Sequence, residues 1–293
     1  MRAPGAYGRE MRASGLLSEL PEACPADHVC WVHDEHDPGF DAAVRQFLAG
    51  GAARGERLLV IGARAIAALD GDPAQLDAAR LRADGALEVL GVDDAYAASE
   101  EFTVARQRAW YEAATHRARA DGFTGLRVVA EMSALAADPR HADELARWEH
   151  VADEFMATDG GMSAMCTYRS DLPPAPLGAV AAAHPVVRAN PRSVPFRVFF
   201  ERDRVVLAGE VDAFDADRLA ALLAATPAGA RAVLDVGGLG FVGAAGLRVI
   251  ARWAVELGGR GSSLELRGAS SLLRRMWGLL ALDDRAPVEF SPA

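Results

Sequence analysis

The sequence lacks any apolar run approaching the ~18 to 20 residues that span a bilayer, and its first twenty residues lack the continuous apolar core of a secretory leader. A cytoplasmic location is therefore expected. Cysteine is scarce: Cys24, Cys30 and Cys166 are odd in number and show no C-x-x-C pairing, so neither a disulfide framework nor a zinc ribbon is indicated. Positive charge is also in deficit. A formal net charge of −10 argues against a protein that coats nucleic acid or binds an anionic membrane, since both tasks need a basic surface. No G-x-x-x-x-G-K-[ST] loop is present. The stretch Ile61-Gly62-Ala-Arg-Ala-Ile66 has one glycine and no Lys-Ser/Thr to hold phosphates and magnesium, so ATP hydrolysis is not expected. Internal repeats, a helix-turn-helix, a Ser/His/Asp arrangement and paired carboxylates with a shared site are missing too.

What is present is a chain of 293 residues, 51% hydrophobic and 25% charged, long enough for two domains that each bury a core. Residues 1–20, with scattered glycines and arginines, read as a mobile tail, and Met11 offers a second start. From His28 onward strands alternate with helices. Strands are expected at 28–32, 57–61, 86–90, 126–130 and 162–168. Helices are expected from Asp37-Pro38 to Gly50-Gly51, from Asp72-Pro73 to Arg80, from a Ser99 cap to Ala120, and from Asp138-Pro139 to Gly160-Gly161. Helical crossovers of that length imply a mostly parallel sheet with helices on both faces. Six prolines between 173 and 195 make residues 172–194 a semi-rigid connection, interrupted by a short alanine helix at 179–183. The domains so defined are 21–194 and 195–293.

The second domain opens with a hairpin around Arg202-Asp203, followed by a helix that Asp215 can cap. Its centre is Leu234-Asp-Val-Gly-Gly-Leu-Gly-Phe-Val-Gly-Ala-Ala-Gly-Leu-Arg-Val-Ile250, read as a buried strand, a glycine-rich turn and the start of an amphipathic helix. The glycines are expected to give the turn conformations closed to other residues and a flat surface for a partner. A strand at 264–266, a helix at 270–280 and a last strand at Val288 follow. With Gly209-Glu-Val-Asp212, this stretch resembles the STAS domain of anti-sigma factor antagonists from about Pro195 to Phe290. In that family the turn usually reads Asp-Ser-Ser-Gly and a kinase phosphorylates the first serine. Here the same positions read Gly243-Ala244-Ala245-Gly246. Alanine has no hydroxyl, so a phosphate charge of roughly −1.5 to −2 cannot arise at Ala244. No Ser, Thr or Tyr lies between Thr226 and Ser262 to replace it. The resemblance implies a contact patch at Phe241, Val242, Gly243, Ala244, Ala245, Gly246 and Arg248. The implied partner is an anti-sigma factor or a related regulatory kinase-like protein.

Residues 28–195 resemble the MEDS sensory domain, related in fold to RecA-like ATPases. The carriers are Asp27-His-Val-Cys30, Gly55-Glu56, Ala130-Glu-Met132, Trp148-Glu149, Cys166-x-Tyr168, His184-Pro185 and Asn190-Pro191. The whole is then α/β: a RecA-like, mostly parallel sheet followed by a smaller α/β STAS domain with a mixed sheet. The resemblance implies a small apolar ligand near His28, Cys30, Glu131, Met132, Trp148, Glu149, Cys166 and Tyr168, with Glu131 at the C-terminal edge of the sheet. Each has a plainer reading: Cys30 and Cys166 as small core hydrophobes, Trp148 and Tyr168 as space-filling aromatics, Glu131 as a solvated or helix-capping carboxylate. His28, Cys30, His33 and His36 do not form a known ligand spacing, and no metal site is expected. No cofactor is specified.

Three functions stay open. The first is a signalling protein, not an enzyme, in which the first domain senses a small molecule or protein and the second binds a regulatory partner by population shift. The second is an enzyme in the first domain, a degenerate RecA-like ATPase or a hydrolase using Glu131 and His28. The third is a structural interaction module that only oligomerises.

Overall fold

The computed structural model describes residues 12–19, 27–96, 102–159, 161–190, 194–227, 229 and 231–292. In chain order the first sheet domain comprises β1 (Gly15–Leu16), β2 (His28–His33), α1 (Pro38–Ala53), β3 (Arg57–Ile61), α2 (Ala63–Ala67), α3 (Ala78–Ala83), β4 (Leu87–Leu90) and α4 (Val92–Tyr96). It continues with α5 (Val104–Ala120), β5 (Leu126–Glu131), α6 (Ser133–Ala137), α7 (Ala142–Asp159), β6 (Met162–Arg169), α8 (Pro174–Ala182) and β7 (Val186–Arg188). Its seven strands are all parallel, in the order β1-β7-β2-β6-β5-β3-β4.

Successive side chains of a strand point to opposite faces, and the two faces carry separate cores. Leu58, Val60 and Val129 pack with Phe40, Val44 and Leu48 of α1. Leu59, Ile61, Val128 and Ala130 pack with residues of α5, α7 and α8 such as Tyr111, Leu145 and Val180. Helices thus cover both faces, as a parallel sheet requires.

Several boundaries differ from those the sequence suggests. Gly50-Gly51 lies inside α1, because Gly51 leaves room for the Arg127 side chain, which an added Cβ would meet at 2.3 Å. Asp72 closes a turn onto Ala74 N, and Asp77 caps α3. Ser99 lies outside the described residues, and Thr103 caps α5. Asp138 turns back onto Arg140 N, so the long helix begins at Ala142. Residues 12–19, expected in a tail, include a strand on β7 and a part-buried Arg12. The proline-rich connection contains a packed helix, α8: Leu177, Val180 and Ala181 enter the first core, and the following Ala182 and Ala183 enter the second.

The C-terminal domain comprises β8 (Phe196–Glu201), β9 (Arg204–Val211), α9 (Ala216–Ala225), β10 (Arg231–Asp235), β11 (Leu239–Val242), α10 (Ala244–Gly259), β12 (Ser263–Arg267), α11 (Ser271–Leu279) and β13 (Val288–Ser291). Its sheet is mixed. β8 and β9 form the expected antiparallel hairpin, while β10 and β11 follow one another along the other edge of β9, parallel to it. The strand–turn–helix reading of the glycine stretch therefore needs an extra strand, β11. None of Gly237, Gly238, Gly240 or Gly246 has a positive φ. Gly246 instead provides space, since a Cβ there would lie 2.9 Å from Val242 and 3.0 Å from Val211. The conformationally demanding glycine is Gly209, at φ +100°, where a Cβ would fall 2.3 Å from Pro195 O. Asp215 stands at the N-cap of α9 without a side-chain cap bond; Asp212 accepts from the amides of Phe214 and Asp215.

Candidate functional site

The densest chemistry lies under α7, on the α5/α7/α8 face of the first sheet. β2 pairs β6 with Cys30 opposite Cys166, so His28 and Cys30, and Cys166 and Tyr168, share this face. Above them α7 presents Glu149 and Asp153, one turn apart, within the stripe of Leu145, Trp148, Ala152 and Met156 that faces the core. His184 arrives from the turn after α8. His28, Glu149, Asp153, Tyr168 and His184 are fully buried, and Cys166 nearly so.

Every buried polar group here is held by a specific partner. His28 Nδ1 lies 2.9 Å from Asp153 Oδ1, and its Nε2 lies 3.5 Å from Glu149 Oε2 and 3.8 Å from Cys166 Sγ. The Cys166 thiol donates to Glu149 Oε2 at 3.3 Å, and the Tyr168 hydroxyl donates to Glu149 Oε1. His184 Nδ1 lies 2.8 Å from Val180 O. The exception is His184 Nε2, which has no hydrogen bond although Glu149 Oε2 is 3.5 Å away.

Burial works against charge throughout, and the neighbours decide which groups keep it. Burial lowers the His28 imidazole, but Asp153 and Glu149 outweigh it and the net shift is upward. Burial and the adjacent His28 push His184 down to about 4. Glu149 stays below the usual carboxylate range because His184, His28 and the Tyr168 hydroxyl together exceed the cost of its burial. Burial and Glu149 raise the Cys166 thiol, and burial first, then Glu149, raises Cys30.

Beside this cluster is a cavity of about 10 Å³, roughly what one water needs. It is walled by Tyr96, Tyr111, Met132, Trp148, Met156 and Met162, with Glu149, His28 and Cys166 at one side. Tyr111 stacks on Trp148 at 5.3 Å, and its hydroxyl meets that of Tyr96 at 2.9 Å. A larger open groove of about 700 Å³ runs between α6, α7, α8 and α9, with Phe214 exposed along it.

The polar chain continues out of the first domain. Asp153 Oδ2 accepts the Phe200 N–H at 2.6 Å, and Arg12 binds both Asp153 oxygens and donates to Phe200 O. Phe200 lies on β8, which forms one edge of the second sheet, so the first domain supplies partners to an edge strand. Nearby, His150 Nε2 lies 2.9 Å from Thr226 Oγ1 at the end of α9.

Of the residues picked out by sequence, His28, Trp148, Glu149, Cys166 and Tyr168 converge, with Cys30 adjoining and Met132 in the cavity wall. Glu131 does not join them. Two residues beyond Val129 on the strand, it shares that residue's α1 face, and its Oε2 accepts the Arg64 N–H at 2.9 Å at the start of α2. Gly62, at φ +97°, makes room for it: a Cβ there would sit 2.5 Å from Glu131 Cβ. Glu131 and His28 thus occupy opposite faces and do not form a hydrolytic pair. His33 packs on Phe40 at 4.2 Å and His36 is exposed, so neither reaches the cluster. His184, Asp153 and Arg12 were not expected at the site. Asp153 had a legible signal, a second carboxylate inside the apolar stripe of α7.

Residues 27–185, more than half of the chain, match the family described as MEDS, the methanogen/methylotroph, DcmR sensory domain. The chain belongs to the MEDS family. Residues 197–289 match the family described as Mlab, STAS domain. No curated protein matches the chain. The buried cluster lies within the MEDS domain, whose β2, β6 and α7 supply all of its residues except His184, which precedes β7. In the STAS domain, of the residues expected in the contact patch, Phe241 and Arg248 are exposed, Val242 to Ala245 are half-buried and Gly246 is buried. Gly243 is the N-cap of α10 and makes no side-chain cap. Among the described residues no helix is long and apolar enough to cross a membrane.

Proposed function

We propose that the chain is a cytoplasmic regulatory protein. The MEDS domain receives a chemical signal at the buried cluster, and the STAS domain binds a regulatory partner, an anti-sigma factor or a related kinase-like protein, through Phe241, Val242, Gly243, Ala244, Ala245, Gly246 and Arg248. The observation that carries this reading is the uninterrupted polar chain from Glu149 through His28 and Asp153 to the Phe200 main chain. A ligand that changes how His28 shares Asp153 changes what Asp153 offers to β8. β9, paired along β8, ends at Val211, whose carbonyl accepts the Gly243 N–H at the head of α10. A signal acts by favouring one of two arrangements of these contacts, and it shifts nothing without that difference. Since Ala244 cannot carry phosphate, the MEDS domain takes the controlling place that a kinase holds in phosphorylated relatives. Exposed Phe241 beside a small-residue turn supports protein contact, because a large aromatic at the centre of such a patch is a common anchor.

The test is surface plasmon resonance with anti-sigma factors from the same genome as analytes. Wild-type protein is expected to bind one of them. Phe241→Ala and Ala244→Asp are expected to weaken that binding about tenfold or more, and Asp153→Asn to change the affinity without altering the contact surface. Equal binding by all four proteins, or binding by none, would overturn the reading.

A further inference from the structure

We propose that His28, Glu149, Cys166 and His184 form a closed, four-ligand site for a divalent d-block cation of the zinc class. The inference rests on reading this cluster as the signal-receiving site, but it concerns binding alone and does not depend on the STAS partner. One ligand atom from each of the four residues falls within 4.8 Å of all the others. Zinc bonds of about 2.0–2.1 Å to nitrogen or oxygen and 2.3 Å to sulfur place tetrahedral ligands roughly 3.3–3.6 Å apart. The distances radiating from Glu149 Oε2 match that spacing: 3.3 Å to Cys166 Sγ and 3.5 Å to each histidine Nε2. The Cys166 Sγ to His28 Nε2 separation of 3.8 Å is slightly wider.

The tautomers are set for ligation. Val180 O can only accept, so His184 Nδ1 carries the hydrogen and the Nε2 of the neutral ring presents a lone pair. That lone pair is aimed at a carboxylate oxygen, which also has only lone pairs to offer, and finds no hydrogen bond in a fully buried position. Two acceptors face one another with no donor between them, an arrangement a cation resolves. His28 is held in the same sense, with Nδ1 on Asp153 and Nε2 turned to the cluster. Both are the outer contacts that orient metal-ligating imidazoles, and the Tyr168 hydroxyl does the same for the second oxygen of Glu149. Two imidazoles, a thiolate and a carboxylate suit zinc or cobalt rather than magnesium or calcium, which favour oxygen. On binding, the Cys166 thiol proton, and any proton on His28 Nε2, leave to solvent as the S–M and N–M bonds form. All four positions are then protein ligands, and no open coordination position remains for catalysis.

Because the ligands are buried, the full chain is refolded under reducing conditions with zinc chloride or cobalt chloride, desalted, and assayed by inductively coupled plasma mass spectrometry and absorption spectroscopy. Expected are equimolar retained zinc and, with cobalt, the intense visible bands of a tetrahedral field plus a thiolate-to-cobalt charge-transfer band. Cys166→Ser removes the charge-transfer band, His184→Gln weakens retention about tenfold or more, and Cys30→Ser leaves both unchanged. Circular dichroism establishes that each variant folds; if Cys166→Ser does not, the wild type and Cys30→Ser still decide. Wild type that retains no more metal than His184→Gln, or a charge-transfer band lost with Cys30 rather than Cys166, overturns the proposal. Loss of metal binding leaves the plasmon-resonance result standing, and failure of partner binding leaves the metal count standing.

Discussion

The two domains solve the same packing problem with opposite materials. Both bury a sheet under helices, yet among the described residues all the buried polar and charged ones but Asp215, Thr226 and Glu265 lie in the MEDS domain, where His28, Glu149, His150, Asp153 and His184 are fully enclosed. The STAS core is Leu, Val, Phe and Trp, and its distinctive chemistry is at the surface, in exposed Phe241 and a turn of glycine and alanine. Buried ionisable groups are expensive to fold unless each is paired. The MEDS domain keeps five of them fully enclosed, each beside a polar partner, whereas the STAS domain keeps its core largely apolar and its turn small.

Substitutions can break this contrast or sharpen it. The largest effect is expected at Asp153, where the two designs meet. Asp153→Ala leaves Arg12 and His28 without their shared carboxylate and Phe200 N–H without an acceptor, and is expected to cost about 3–5 kcal/mol in urea denaturation. Hydrogen exchange should rise in both α7 and β8; protection lost in only one of them would show that the domains are not coupled there. Next is Gly209→Ala, a purely steric test of the STAS domain, expected to cost about 3 kcal/mol through its positive φ and the clash with Pro195 O. Tyr168→Phe removes one hydroxyl from buried Glu149 while keeping the ring, and should cost about 1–3 kcal/mol, with little exchange change in the STAS strands. The smallest stability effect is expected for Phe241→Ala, within about 0.5 kcal/mol of wild type, since the ring is 52% exposed. A large loss of stability there would move Phe241 from contact to core.

Much of the fold was legible because hydrophobic periodicity is a local property. The strands at 28–33, 57–61, 126–131 and 162–169 and the hairpin at 196–211 stand where the sequence suggested. β11 escaped notice because it is defined by pairing along β9 rather than by an alternating buried face: Gly240 and Phe241 are both exposed. The site was half legible. His28, Glu149, Cys166 and Tyr168 belong to the short motifs that carry the MEDS resemblance. His184 belonged to a recognised dipeptide, but its approach depends on how α8 packs over α7, which no local pattern encodes. Arg12 had no signal at all, since a lone arginine among glycines becomes structural only when distant Asp153 and Phe200 surround it.

That placement of Arg12 bears on how the protein can be divided. A fragment trimmed to the matched limits, 27–185, would keep the whole buried cluster yet discard both Arg12 and Phe200, leaving Asp153 with His28 alone. The carboxylate would then bind its histidine differently from its counterpart in the intact chain. Such a fragment would also lose β1 and β7, the strands beyond β2 in the sheet, so its affinities would describe a domain stripped of its own edge as well as of its neighbour.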